Sequence, residues 1–157
     1  MQKISPCLWF DTEGEEAAEF YTSIFPNSRI VEVSRYGSAG PRDEGTVMTV
    51  DFELEGQTFM ALNGGPDFKF NEAISLEVHC ETQEELDKYW SALTADGGEE
   101  GPCGWLKDKY GVSWQVVPNI LSQLIKDPDR EKSQRVMAAM LQMGKIGRER
   151  GWPPPTK

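Results

Sequence analysis

One order of elements occurs twice along this chain, at a nearly constant offset of about 70 residues. Ile4-Ser5 recurs as Ile74-Ser75, Thr12 as Thr82, and Phe20-Tyr21 is answered by Tyr89-Trp90. Each time a short β-run leads into a helix, and a hairpin closes the unit. A single matching pair arises easily by chance, whereas a whole matching order of elements does not. The duplication restricts the chain to folds in which one β-α-β-β-β unit is used twice.

In the first unit, residues 4–10 (ISPCLWF) form a β-run, and Thr12 with Glu15 has the spacing of a capping box. A helix follows with Ala17, Phe20, Tyr21, Ile24 and Phe25 on one stripe, ended by Pro26-Asn27. Residues 29–36 alternate as a strand, 37–45 form a Gly-rich loop, and 46–54 with 58–63 form a hairpin around Glu55-Gly56-Gln57. The linker 63–73 carries Phe68 and Phe70, which look exposed.

The pattern then restarts. Residues 74–80 (ISLEVHC) are a β-run, and Thr82 with Glu85 repeats the capping box. Leu86, Tyr89, Trp90 and Leu93 follow helical spacing. The turn-rich link 95–104 has room for a very short strand. Residues 105–107 and 112–117 form the closing hairpin, turned by Asp108-Lys109-Tyr110-Gly111 and stopped by Pro118. Alternation puts Trp114 and Val116 on one face and Ser113, Gln115 and Val117 on the other.

The expected fold is therefore α+β. Two βαβββ modules, residues 1–65 and 72–118, form curled mixed sheets around a cleft within one domain, and residues 119–157 make a helical C-terminal extension. The helix-facing surface is expected to hold Leu8 and Phe10 in one unit and Ile74, Leu76 and Val78 in the other. The opposite surface would hold Ser5, Cys7 and Trp9, with Ser75, Glu77 and His79. Such a mixed aromatic and polar lining is usual for a small-molecule site. In the extension, Asn119 is placed to cap a short helix with Ile120, Leu121, Leu124 and Ile125 on it. Asp127-Pro128 starts a longer helix running to about Lys145, with Val136, Met137, Met140, Leu141 and Met143 on one stripe. That stripe suits core or a dimer seam better than a cofactor box. A polyproline segment follows at Pro153–Pro155.

Charge excludes some partners. The net charge is −10, which argues against nucleic acid or an anionic membrane. It is uneven: before Asn119 there are 8 Lys/Arg against 22 Asp/Glu, and from Asn119 onward 8 against 4. The basic extension can dock on an acidic body, its own or a partner's, or simply be a solvated helix face. Three cysteines without a CxxC favour reduced thiols in the cytoplasm, and neither a signal peptide nor an apolar span is visible.

Five stretches, spread over nearly the whole chain, resemble a known family. Ser5-Pro6-Cys7-Leu8-Trp9-Phe10-Asp11, with Ala17–Tyr21 and Ile24–Ser28, and later Tyr110–Pro118 with Val136-Met137 to Ile146, are similar to PhnB-like proteins. These belong to the glyoxalase/bleomycin-resistance group of the vicinal oxygen chelate superfamily. The resemblance implies paired βαβββ modules, commonly assembled as homodimers. Members are often labelled demethylubiquinone methyltransferase-like, yet no strand here leads into a Gly-rich turn that would cradle a methyl donor. Metal enzymes of the superfamily carry ligands on the first and fourth strands of each module. Those positions fall near Ser5 or Pro6, Met60 or Ala61, Ala73 or Ser75, and at Gln115. None is His, Asp or Glu, so no metal and no cofactor is expected.

Among chemical candidates, His79, the lone histidine, lies two residues from Glu77 on the same expected face. The pair can be a general base with its orienting carboxylate, or rim residues of a strand end. Cys7 is a candidate cleft thiol or a buried inert one, and Cys80 should face the helix. Trp9 and Trp105 can stack on a ligand or seal an interface. Lys107 can pair an anionic group or sit solvated at a hairpin edge. Gln115 and Ser75 complete the candidate ligand set by hydrogen bonding. Three readings stay open: a metal-independent small-molecule binder, an enzyme using His79–Glu77 or a metal, and a dimerising interaction module.

Overall fold

A computed structural model describes residues 2–147 and divides them into two compact units, one ending at Phe70 and one beginning at Asn71. The polyproline segment lies outside the described residues. The first unit runs β1 (Cys7–Phe10), α1 (Gly14–Ile24), β2 (Arg29–Arg35), β3 (Val47–Leu54) and β4 (Gln57–Asn63). The second runs β5 (Ser75–Cys80), α2 (Gln83–Thr94), a 3-10 turn at Ala95–Gly97, β6 (Glu99–Glu100), β7 (Trp105–Lys107) and β8 (Ser113–Pro118). It then adds α3 (Ile120–Ile125) and α4 (Arg130–Leu141). Each unit has one four-stranded mixed sheet, ordered β1-β4-β3-β2 and β5-β8-β7-β6. In both, the first strand pairs in parallel with the last, and the other neighbours are antiparallel. The duplicated βαβββ plan is thus present, and both sheets stay open.

In the first unit, Val50, Phe52, Leu54, Phe59 and Ala61 are buried on the face that meets Ala17, Ala18 and Tyr21 of α1. The β3–β4 hairpin turns through Glu55 and Gly56, with φ of +50° and +79°. Two successive residues of positive φ make the tight turn that matches strand twist. Thr12 does not cap α1. Glu13 occupies the cap position without a side-chain bond, and the Gly14 N–H instead donates to Asn63 Oδ1 at 2.7 Å. Asn63 is buried at the end of β4; its Nδ2 donates to the Val47 carbonyl and its carbonyl accepts from the Tyr36 hydroxyl. A Cβ on Gly14 would stand 2.6 Å from Asn63 Oδ1, so the helix start approaches the sheet more closely than a side chain permits.

The expected strand at residues 4–10 starts only at Cys7, and Ile4 is 88 % exposed. β1 is an edge strand, and the linker straddles it. Phe68 meets Trp9 edge-on at 4.8 Å, and Phe70 meets Phe10 at 5.2 Å. Trp9 and Phe10 point to opposite faces, so the linker aromatics grip the edge from both sides. That covers a strand edge otherwise open to pairing with another chain.

In the second unit, Thr82 caps α2 as expected: Thr82 Oγ1 accepts from the Glu85 N–H at 3.1 Å. The Glu85 carboxylate reaches back to the Glu81 N–H, one residue past the cap N–H that a reciprocal box would use. Leu86, Tyr89, Trp90 and Leu93 are all buried, as are Leu106, Trp114 and Val116 on the strands. Ile74 departs from the expected pattern. It precedes β5 and is 79 % exposed.

The C-terminal extension packs on its own unit. Leu121, Val136, Met143 and Ile146 form a core with Val117, Leu124, Ile125, Ala139 and Met140 around it. Asp127 is not the cap of α4. Asp129 fills that role, its carboxylate accepting from the Glu131 and Lys132 N–H groups, while Asp127 pairs with Lys132. The helix ends at Leu141, not near Lys145, and Leu141 is exposed. Beyond it the backbone bonds the β6–β7 link: Cys103 and Gly104 donate to the carbonyls of Met143 and Gly144, both at 2.8 Å. Gly104 has φ +84°, and a Cβ there would be 3.0 Å from Ile146 Cδ1. Lys145 Nζ lies 2.9 Å from Asp87, and the Gln83 amide donates to both Asp87 and the Ile146 carbonyl.

Candidate functional site

Six of the sequence-derived candidates converge on one surface, the face of the second sheet that α2 leaves uncovered. Register gives two neighbouring rows. Trp105 (β7), Gln115 (β8) and Glu77 (β5) share one, and Lys107, Ser113 and Ser75 share the next. His79 lies one step further along β5, opposite Val117, and Glu99 of β6 stands beside Lys107. Trp105, Lys107, Gln115 and Ser75 are half-buried, whereas Glu77 and His79 are exposed.

The rows are held in place from below and from one end. The β7–β8 turn is closed by a backbone bond from Gly111 to Asp108 at 2.9 Å. Asp108, only 3 % exposed, uses Oδ1 to accept from the Tyr110 and Val112 N–H groups. Its Oδ2 accepts from Trp114 Nε1 at 2.9 Å. A residue that looked like ordinary turn chemistry is therefore a buried carboxylate tying the turn to the helix-side core. It fixes the ends of the strands that carry Lys107 and Ser113.

Within the site, Gln115 Nε2 donates to Ser75 Oγ at 2.9 Å. Lys107 pairs with Glu72, just ahead of β5. The hydrogen bond between them, helped by their charges, lowers the Glu72 pKa and raises that of Lys107; Glu99 adds to the latter. His79 Nε2 is 3.4 Å from Glu77 Oε2. With both side chains at least half exposed, this contact contributes little to stability. Among the described residues, Ser113 Oγ is buried with no hydrogen-bond partner.

Cys7 and Trp9 belong to the first unit. Cys7 is exposed rather than a buried thiol, and partial desolvation raises its pKa. Trp9 is engaged internally. Its Nε1 donates to the Gly65 carbonyl at 2.9 Å, Phe68 meets its ring, and a Cβ on Gly64 would fall 2.4 Å from it. Cys80 faces the helix side, buried, its thiol pushed up to about 12 by burial and then by the Glu85 charge.

The donor set does not fit a divalent ion. The second-module positions that the resemblance carries over include Ser75 and Gln115, a neutral hydroxyl and a neutral amide bonded to each other. Divalent metals want imidazole or carboxylate ligands. Among the described residues, no group of three or more His, Cys, Asp or Glu is placed to share an ion.

One feature escaped the sequence reading. A cleft of about 760 Å³ lies in the first unit between the start of α1 and the loop before β3, with Glu15, Glu16, Arg35, Arg42 and Asp43 in its walls. Arg42 is 3.6 Å from Asp11, and Arg35 donates to the Gly45 carbonyl. The cleft depends on how residues 37–45 fold back, which no periodicity in the sequence announces.

Two open βαβββ units with a shared strand order define a protein of the glyoxalase/bleomycin-resistance type. The family model described as 3-demethylubiquinone-9 3-methyltransferase matches residues 2–117, and the chain belongs to that PhnB-like family. Among solved structures, it is 43 % identical to a putative 3-demethylubiquinone-9 3-methyltransferase, PhnB protein, from Bacillus cereus. That match covers 74 % of this chain and 99 % of the other, with a TM-score of 0.66. Protein PA1353 from Pseudomonas aeruginosa is 20 % identical over 75 % of this chain and 98 % of its own, with a TM-score of 0.62. The fosfomycin resistance protein FosX from Listeria monocytogenes is 14 % identical over 75 % and 93 %, with a TM-score of 0.51. The last two likenesses concern the fold alone. No curated protein is a significant match. Among the described residues no helix is long and apolar enough to cross a membrane.

Proposed function

We propose that this chain is a cytoplasmic homodimer that binds a small organic molecule in a cleft floored by the face of its second sheet opposite α2, without a divalent metal. One observation carries the reading: Trp105, Gln115 and Glu77 share one row, and Lys107, Ser113 and Ser75 the next. A sheet face that simply met solvent has no need of a half-buried indole. A dry core would not hold two hydroxyls, an amide and a carboxylate. An aromatic floor with a few polar groups is what orients a small ligand. Cys7, an exposed thiol on the corresponding first strand of the other unit, is the candidate that these rows do not include.

Native mass spectrometry of protein purified without added metal or chelator tests it. The expected species is a metal-free dimer, with or without an organic adduct. Stoichiometric divalent metal would overturn the metal-independent reading. A retained methyl donor would support the activity in the family's description instead.

The 3.4 Å His79–Glu77 contact favours a second reading, proton abstraction from a bound substrate with His79 as base and Glu77 orienting it. For any turnover found, His79→Ala and Glu77→Ala should each abolish most of it; full activity in both variants removes this reading.

A further inference from the structure

We infer that the ligand of the face opposite α2 is an organic cation, an amine or quaternary ammonium group carried on an apolar body. This rests on the site proposed above and names its ligand class. Among the described residues, the charged or titratable side chains that the strands place on that face are Glu77, Glu99, Lys107 and His79, with Glu72 just ahead of β5. Lys107 is the only permanent cation among them, and it is already balanced: Glu72 holds it and Glu99 stands beside it in register. Its charge is thus spent within the protein, and an anionic ligand would have to displace Glu72 and meet Glu77 and Glu99 as well. The formal charge of −10 likewise favours the approach of cations.

The geometry points the same way. Trp105 and Glu77 are in register through Gln115, two strands apart. At ladder spacing this is roughly 9 to 10 Å. A cation over an indole lies within about 6 Å of the ring, and an ion pair spans about 4 Å or less. One ammonium group standing above Gln115 therefore meets both the ring and the carboxylate. Among the described residues the Glu77 carboxylate is ion-paired with His79 alone, and that contact is long and exposed. Gln115 has its amide N–H turned to Ser75, so it does not place a competing charge beneath the cation.

The test is a nitrogen-15 NMR titration of the full chain with phenyltrimethylammonium, and separately with benzenesulfonate, an anion of similar size. The Trp105 indole signal is assigned by its loss in Trp105→Phe. Phenyltrimethylammonium should shift the Trp105 indole and the backbone signals of Glu77 and Gln115, with benzenesulfonate much weaker. Trp105→Leu should weaken cation binding roughly two- to fivefold, the range of an exposed cation–ring contact. Glu77→Gln should weaken it by a similar factor. Glu72→Gln, which leaves Lys107 with Glu99 alone to balance it, should weaken it too, although Glu72 touches no part of the cation's position.

If benzenesulfonate moves these signals as strongly as the cation, the ligand class is wrong and the site stands. If the cation shifts signals elsewhere but not on this face, both the class and the site are wrong. No binding of the cation at millimolar concentration, or undiminished binding in both Glu77→Gln and Trp105→Leu, also overturns the inference.

Discussion

Asp108 offers the sharpest test of how the site is built. Replacing it with Ala removes the acceptor for the Val112 N–H and the Trp114 indole N–H, both on residues buried in the unit. Tyr110 N–H loses its partner as well but is half-buried and can find water. Each buried donor left without a partner costs about 1–3 kcal/mol, so with two of them Asp108→Ala should destabilise the protein by about 2–6 kcal/mol. Against a whole-domain stability of about 5–15 kcal/mol this is a severe loss. Asp108→Asn is the informative companion. Its carbonyl oxygen still serves the two turn N–H groups, but its amide faces the Trp114 N–H donor to donor, which leaves one orphan and a cost of about 1–3 kcal/mol. Urea unfolding followed by far-ultraviolet circular dichroism measures both, with the midpoint shift read at constant slope. An Asp108→Ala cost below about 1 kcal/mol, or an Asn variant as unstable as the Ala variant, would refute the assignment of Asp108 as the turn's organising acceptor.

Further consequences can be checked directly. Gly14→Ala must push Asn63 aside from a 2.6 Å approach, so it should destabilise the start of α1 by more than the ordinary helix gain of alanine, measured by the same unfolding curves. Iodoacetamide labelling read by peptide mass spectrometry should modify Cys7 well before Cys80, whose buried thiol is pushed up to about 12. Burial raises the Asp87 pKa, but the Gln83 amide and Lys145 outweigh it, so the pKa falls below its ordinary 3.8. The stability this adds is complete above that value and disappears as pH drops beneath it. Hydrogen exchange at Cys103 and Gly104, which the tail's carbonyls protect, should therefore quicken on acidification once the intrinsic rate is divided out. Removing residues 119–157 should destabilise the second unit, because Gly104 and Val117 lose their cover; a truncated chain as stable as the full one would contradict that packing.

Much of the fold was legible because the duplicated pattern is local. Helical spacing identified the α2 stripe without error, and alternation along β8 separated Trp114 and Val116 from Ser113 and Gln115. Starts and stops were harder where the partner is distant in sequence. Thr12 has the right spacing to cap α1, yet Asn63, 49 residues from the Gly14 it binds, accepts that bond instead. Asp127-Pro128 looks like a helix start, but Asp129 supplies the cap two residues on. The tail after Leu141 carries a residue, Ile146, whose burial depends on Gly104 lying opposite it, and no periodicity announces such a contact. The candidate site was legible as a set of outward-facing residues on three strands. That Trp9 is occupied by Gly64, Gly65 and Phe68 was not, since an indole on an alternating strand looks the same whether a linker or a ligand covers it.

The duplication itself explains why the second unit is the better candidate for binding. Equivalent register rows can be set side by side: Cys7–Met60–Asp51 in the first sheet and Glu77–Gln115–Trp105 in the second. Trp9 in the first unit corresponds to His79 in the second. The first unit has no aromatic residue in that row, and its one nearby indole is clamped by its own linker with a hydrogen bond and an edge-on ring. In the second unit the indole lies within the row, next to an amide and in line with an exposed carboxylate. The same frame thus supports two different uses of an aromatic side chain. In one, Trp9 fastens the linker over an edge strand. In the other, Trp105 stays on the open face, where its ring contributes to recognition only if something outside the unit comes to rest on it.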